Sequence, residues 1–87
     1  MISMKNYLFT FRSVTYAQKG ERVLKRSGID CQLRRTPRAL TNKECGYCLQ
    51  IRPRDFARTL ELLEGSQVQF GKAYGMSYDG GFEELAV

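Results

Sequence analysis

The sequence predicts one α+β domain with the element order β-α-β-β-α-β. Three observations carry that reading. Apolar residues alternate with polar ones in four stretches, "NYLFTF", "IDCQLRR", "YCLQIR" and "QVQFGKAY". Between the first and second of these, and between the third and fourth, they recur instead at steps of three and four, the repeat of a helix with one buried stripe. Gly28, Pro37, Pro53 and Gly65 stand where elements should stop or start.

In chain order, Asn6 to Phe11 sets Tyr7, Phe9 and Phe11 against Leu8 and Thr10, a strand with both faces at least partly covered. "SVTYAQKGERVLKRSG" follows as a helix. Ser13 or Thr15 caps its first turn, Lys25 and Arg26 complement the dipole in its last turn, and Gly28 terminates it. Gly20 in mid-helix costs about 1 kcal/mol relative to Ala, a cost that close approach of the helix to a sheet would offset. The second strand turns Ile29, Cys31 and Leu33 inward and ends at Pro37; Arg38 to Gly46 is a polar loop. The third strand places Tyr47, Leu49 and Ile51 on one face and Cys48, Gln50 and Arg52 on the other. Pro53 opens a second helix, where its missing N–H does no harm; Phe56, Leu60 and Leu63 form its stripe and Gly65 ends it. Gln67 to Tyr74 gives a fourth strand through Val68 and Phe70. Two right-handed crossovers packed side by side give a four-stranded antiparallel sheet with both helices on one face, the ferredoxin-like arrangement. The domain is expected to span residues 1–74. Residues 75–87, with Gly75, Gly80 and Gly81 and the acids Asp79, Glu83 and Glu84, are expected as a tail whose Tyr78, Phe82 and Leu85 could dock on the open sheet face or on a second copy.

A chain of 87 residues buries only about two-thirds of its unfolded surface and builds a thin core, so any chemistry belongs on a surface loop rather than in a deep cavity. There is no apolar run long enough to span a membrane, and Ser3, Lys5 and Asn6 break any signal-peptide core, which points to a reducing cytoplasm. The net charge of +5 is unevenly placed. Arg34, Arg35, Arg38, Lys43, Arg52, Arg54 and Arg58 crowd the middle of the chain against only Glu44 and Asp55, which favours anionic partners. No histidine is present, so nucleophile–base pairs built on imidazole are excluded, and hydrolytic chemistry is disfavoured. A closed zinc site needs four ligands that a three-cysteine chain without histidine does not supply, so neither a metal nor a cofactor is expected.

The three cysteines read differently. Cys31 shares the inward phase of the second strand and behaves as a small hydrophobe. Cys45 closes the polar loop beside Gly46, with Lys43 and Arg38 near in sequence, and neighbouring cations lower a thiol's pKa from about 8.5 towards neutrality. Cys48 falls on the strand phase opposite Tyr47 and Leu49 and is expected on the open face or at a dimer contact. The "CGYC" pair is close to the thioredoxin redox motif, but it leads into a strand and lacks the helix N-terminus that stabilises thiolate there.

Together, "YLFTFRSVTYAQKGERVLKRSGI", "TPRAL" and "ECGYCLQI" resemble a family of small bacterial selenium/sulfur carrier-like proteins, over roughly Lys5 to Phe70. The likeness rests on the opening strand and helix, the Pro37-Arg38 pair and Cys45-Gly46. It implies a carrier rather than an independent enzyme, with Cys45 bearing sulfur or selenium as a persulfide or selenosulfide between donor and acceptor proteins. Arg38 and Lys43 would stabilise the anion, and Arg34, Arg35, Arg52 and Arg54 would steer an acidic partner. Cys48 is an addition to the single Cys-Gly of the family and could resolve the persulfide as a disulfide. Two alternatives stay open. The same element order builds RNA-recognition modules, but "CGYCLQI" keeps only Gly46 and Tyr47 of the basic-Gly-aromatic signature on the third strand. The other is a non-catalytic interaction domain that pairs through its open sheet face as a homodimer.

Overall fold

The computed structural model describes residues 4–40 and 46–85. β1 (Met4–Phe11) is the central strand of a five-stranded sheet ordered β2-β3-β1-β4-β5, in which β2 is Cys31–Arg35, β3 Tyr47–Ile51, β4 Ala73–Ser77 and β5 Phe82–Leu85. Every adjacent pair is antiparallel. Helix α1 (Val14–Arg26) carries the chain from β1 past β3 to β2. A single 3-10 turn at Pro53–Asp55 and helix α2 (Phe56–Gly65) carry it from β3 past β1 to β4.

Both helices lie on one face. Ala17 and Leu24 of α1 and Leu63 of α2 share a buried cluster with Phe9, Phe11, Cys31, Leu49 and Ile51. The alternation of β1 explains its place: Phe9 packs flat against Phe56 at 5.5 Å and edge-on against Phe70 at 5.0 Å, so one aromatic ring ties the centre of the sheet to α2 and to the segment after it. Ser13 is the cap of α1, its hydroxyl accepting from the Tyr16 N–H at 3.5 Å. Gly20 sits where helix and sheet come closest. A Cβ there would lie 3.2 Å from both Leu49 Cδ1 and Phe11 Cζ and 3.4 Å from Leu63 Cδ2, which is the compensation its poor helix propensity calls for. Neither helix is long and apolar enough to cross a membrane.

Two expectations need correction. The sheet has five strands, not four, and the fourth runs over Ala73–Ser77 rather than Gln67 to Tyr74. The cause lies at the end of α2. Gly65 is still helical; Gln67 takes the left-handed conformation (φ 58°), and Val68 N donates back to the Leu63 carbonyl at 2.9 Å. This closes the helix in the Schellman manner, with Val68 as its buried hydrophobic partner. The apolar residue that suggested a strand therefore belongs to a helix cap. α1 ends the same way, with Gly28 (φ 80°) in the left-handed position and Ile29 N donating to the Leu24 carbonyl at 2.9 Å.

Residues expected to form a tail instead complete β4 and supply β5, which pairs Ala73 with Leu85 and Met76 with Phe82. The connection is tight. Ser77 N donates to the Gly81 carbonyl at 2.9 Å, and Gly80 takes a positive φ of 91°. The Asp79 carboxylate accepts from the Ser77 hydroxyl and from Gly81 N, and these two bonds hold its pKa below the ordinary carboxylate range. Asp79-Gly80 is a hairpin signal present in the sequence, but the strand after it lacks the alternation that would have marked it.

Gly20→Val should lower stability by about 2 kcal/mol, seen as a lower urea midpoint at unchanged slope, because the added atoms must displace Leu49 and Phe11 from a filled core. Gln67→Gly should raise stability by up to about 1 kcal/mol, seen as a higher urea midpoint, by relieving a left-handed conformation that glycine adopts without strain.

Candidate functional site

The loop that ends in Cys45-Gly46 joins β2 to β3. The last Cα pair of these strands is Arg35 with Tyr47, and the ladder continues one step further, Thr36 N donating to the Gly46 carbonyl at 3.0 Å. This pair is the neck of the hairpin. Gly46 is closely packed there: a Cβ would lie 3.2 Å from Thr36 Oγ1, tight enough that the threonine side chain would have to give, and 3.4 Å from the Phe11 carbonyl. On the β2 side, Pro37 begins a turn closed by Leu40 N donating to its carbonyl at 2.9 Å, and Arg38 within that turn is exposed. Cys45 and Lys43, the two residues on which the sequence reading leans most, lie outside the described residues.

Around the neck, the guanidinium of Arg35 stands 5.9 Å from the ring centroid of Tyr47. Arg34 donates through Nη1 to Oε1 of Gln50. β1 ends opposite Tyr47 at Phe11, so the exposed Arg12 and the N-terminus of α1, with its unpaired amide groups, stand at this same end of the sheet. Arg12 was missed from sequence. Only the strand order, which sets β1 beside β3, brings it to the neck.

The proposed docking cations are divided by the fold. Arg34 and Arg35 lie near the neck. Arg52 and Arg54 follow Ile51 at the far end of β3, four residues and about 13 Å from Tyr47. Arg52 there pairs with Asp30 at 2.9 Å, an exposed ion pair.

Cys48 was expected on the open face or at a dimer contact; it does lie on the sheet face away from the helices, but it is only 1% exposed there. Alternation assigned the correct face, opposite Leu49, but not its cover. Cys48 sits between Thr10 of β1 and Arg34 of β2, whose long side chain reaches to Gln50 on the same face. Its Sγ lies 3.9 Å from the Arg35 carbonyl. Burial pushes this thiol above its ordinary range, with the charge of Arg34 acting the other way. Cys31, at the far end of β2, is in the core as expected. Burial, with Glu21 and Asp30 adding to it against Lys25, raises its pKa to about 11. Both described thiols are therefore protonated at neutral pH and shielded from solvent. Among the described residues no three His, Cys, Asp or Glu side chains converge as a metal site would require.

No curated protein and no solved structure matches the chain. A model of one protein family does match, over residues 6–75, which takes in all but the first two residues of β1, both helices, β2, β3, the hairpin neck and the first three residues of β4. With four-fifths of its length so matched, the chain belongs to the family described as "Putative Se/S carrier protein-like".

Proposed function

We propose that the protein carries sulfur or selenium on Cys45, as a persulfide or selenosulfide, between a donor enzyme and an acceptor protein in a reducing cytoplasm. The observation that carries this reading is the state of the other two thiols: Cys31 and Cys48 are buried and raised in pKa, which leaves Cys45 as the cysteine available for exchange. Its sequence neighbour Gly46 is fixed at the hairpin neck, beside the positive end of α1 and close to Arg12 and Arg35. Such surroundings favour an anionic sulfur. We further read the β2-β3-β1-β4 order, with its two split crossovers, as the ferredoxin-like arrangement extended by β5.

In loading, the Cys45 thiolate attacks the terminal sulfur of a donor persulfide. The sulfur–sulfur bond of the donor breaks, the donor leaves as thiolate, and Cys45 gains the sulfane sulfur. Delivery repeats the exchange in reverse, with an acceptor thiolate attacking and Cys45 leaving. Arg38 and Lys43 stabilise the leaving and arriving anions. Arg12, Arg34 and Arg35 form the docking rim, and Arg52 and Arg54 lie too far along β3 to join it. Cys48 is the hazard in this scheme. Its attack on the inner sulfur of a loaded Cys45 would form a Cys45–Cys48 disulfide and expel hydrogen sulfide. Its burial as a neutral thiol keeps that reaction slow.

Incubated with a cysteine desulfurase and cysteine, the reduced protein should gain a one-sulfur adduct by intact mass. Cys31→Ser and Cys48→Ser should keep the adduct and Cys45→Ser should lose it; an adduct that persists in Cys45→Ser overturns the assignment.

Alkylation by iodoacetamide, followed by peptide mapping, should modify Cys45 at neutral pH. Cys31 should react appreciably only as pH approaches about 11, because its raised pKa leaves little thiolate below that, and Cys48 should likewise lag behind an ordinary thiol. Arg38→Ala and Lys43→Ala should each slow Cys45 at neutral pH severalfold and leave the rate at high pH unchanged.

A further inference from the structure

The face of α1 turned away from the sheet carries a charge pattern that sulfur transfer does not use. Ala17, Gly20 and Leu24 point into the core, which sets Lys19, Arg22 and Arg26 on the opposite side, all exposed. They lie three and four residues apart, about 4.5 and 6 Å along the helix axis, so their side chains form one ridge. The helix has a single acid, Glu21, and Lys25 holds it at 3.4 Å. Arg22, Lys25 and Arg26, with Gln18 and Glu21, also line an open depression of about 650 Å³.

The ridge lacks an apolar anchor. The exposed apolar residues of α1, Val14 and Tyr16, belong to its first turn. A protein partner would draw most of its affinity from aromatic or aliphatic anchors seated in pockets, whereas a phosphate backbone needs regularly placed cations and nothing else. The sheet points the same way. On the face opposite the helices, Leu8 and Cys48 of the two central strands are buried, and Tyr74, the partner of Leu8 on that face, is half-buried, so no exposed aromatic of the described strands offers bases a surface to stack on.

We infer that the outer face of α1, through Lys19, Arg22 and Arg26, binds the phosphate backbone of nucleic acid, without reading its bases. The inference is independent of the carrier reading, since it uses no cysteine.

The test is fluorescence anisotropy with a labelled single-stranded RNA of about twenty mixed-sequence nucleotides, at about 20 mM salt and upwards. Binding should weaken with a log–log salt slope of about −2, the value for roughly three phosphate contacts on a single strand. Lys19→Glu/Arg22→Glu/Arg26→Glu should lose at least about tenfold in affinity, whereas Arg52→Glu/Arg54→Glu/Arg58→Glu, with the same change in net charge, should stay within about threefold. Cys45→Ser should bind as the parent chain does, whether or not that chain takes up sulfur. The Gln triple variant at the three α1 positions replaces the Glu one if circular dichroism shows the latter unfolded. Three outcomes overturn the inference: no binding at the lowest salt, equal losses in the two triple variants, or tighter capture of a polyglutamate peptide than of the RNA.

Discussion

The structure around the hairpin depends on one register, the one that sets Tyr47 opposite both Phe11 and Arg35. β3 lies between β1 and β2, so its alternation is read by two neighbours at once. Leu49 and Ile51 face the helices while Cys48 and Gln50 face away. A slip of one residue would exchange these sets, driving a glutamine into the core and lifting two large apolar side chains into water. The same register fixes Gly46 against Thr36 and the Phe11 carbonyl, where a side chain would crowd the threonine. The residue before it in the chain, Cys45, thus adjoins an anchored neighbour.

That anchoring gives the two ends of the sheet different characters. At the hairpin end, Arg12 precedes α1, Arg35 closes β2 and Arg38 lies in the turn that follows, and none of them has an ion-pair partner among the described residues. At the other end Arg52 is matched by Asp30. Uncompensated cations next to a helix N-terminus attract anions from solution and stabilise any that form there. Cys31 and Cys48 are held by the opposite influence, since burial outweighs the pull of Lys25 on the one and of Arg34 on the other and keeps both thiols neutral, and neutral thiols are poor nucleophiles.

The first four elements were legible in the sequence because each is governed by its own periodicity. Phe9 and Phe11, Ala17 and Leu24, Cys31, and Leu49 and Ile51 are all buried where the alternation or the helical stripe put them. The reading lost its way after α2, where Val68 is apolar for the sake of a helix cap and Phe70 for the sake of Phe9, neither of them within a strand. Local pattern cannot tell those roles from alternation. Around the hairpin, the sequence identified the face on which Cys48 lies, but not its burial there, nor its neighbours Thr10 and Arg34 on the flanking strands, both distant in the chain. The grouping of the arginines was likewise illegible, because neighbours such as Arg35 and Arg52 in one charged stretch end up at opposite ends of the same strand pair.

The outermost strand has a bearing on how the chain is made. Until synthesis has passed Leu85, β4 presents a row of bare amides and carbonyls along its outer side, next to the half-buried Tyr74 and Met76. Such a margin is a template for pairing with another nascent copy. Once Glu83 and Glu84 zip into place, the new border of the sheet is negatively charged and two like borders repel. Phe82–Leu85 therefore act as a selvedge, closing an edge that would otherwise invite a second strand.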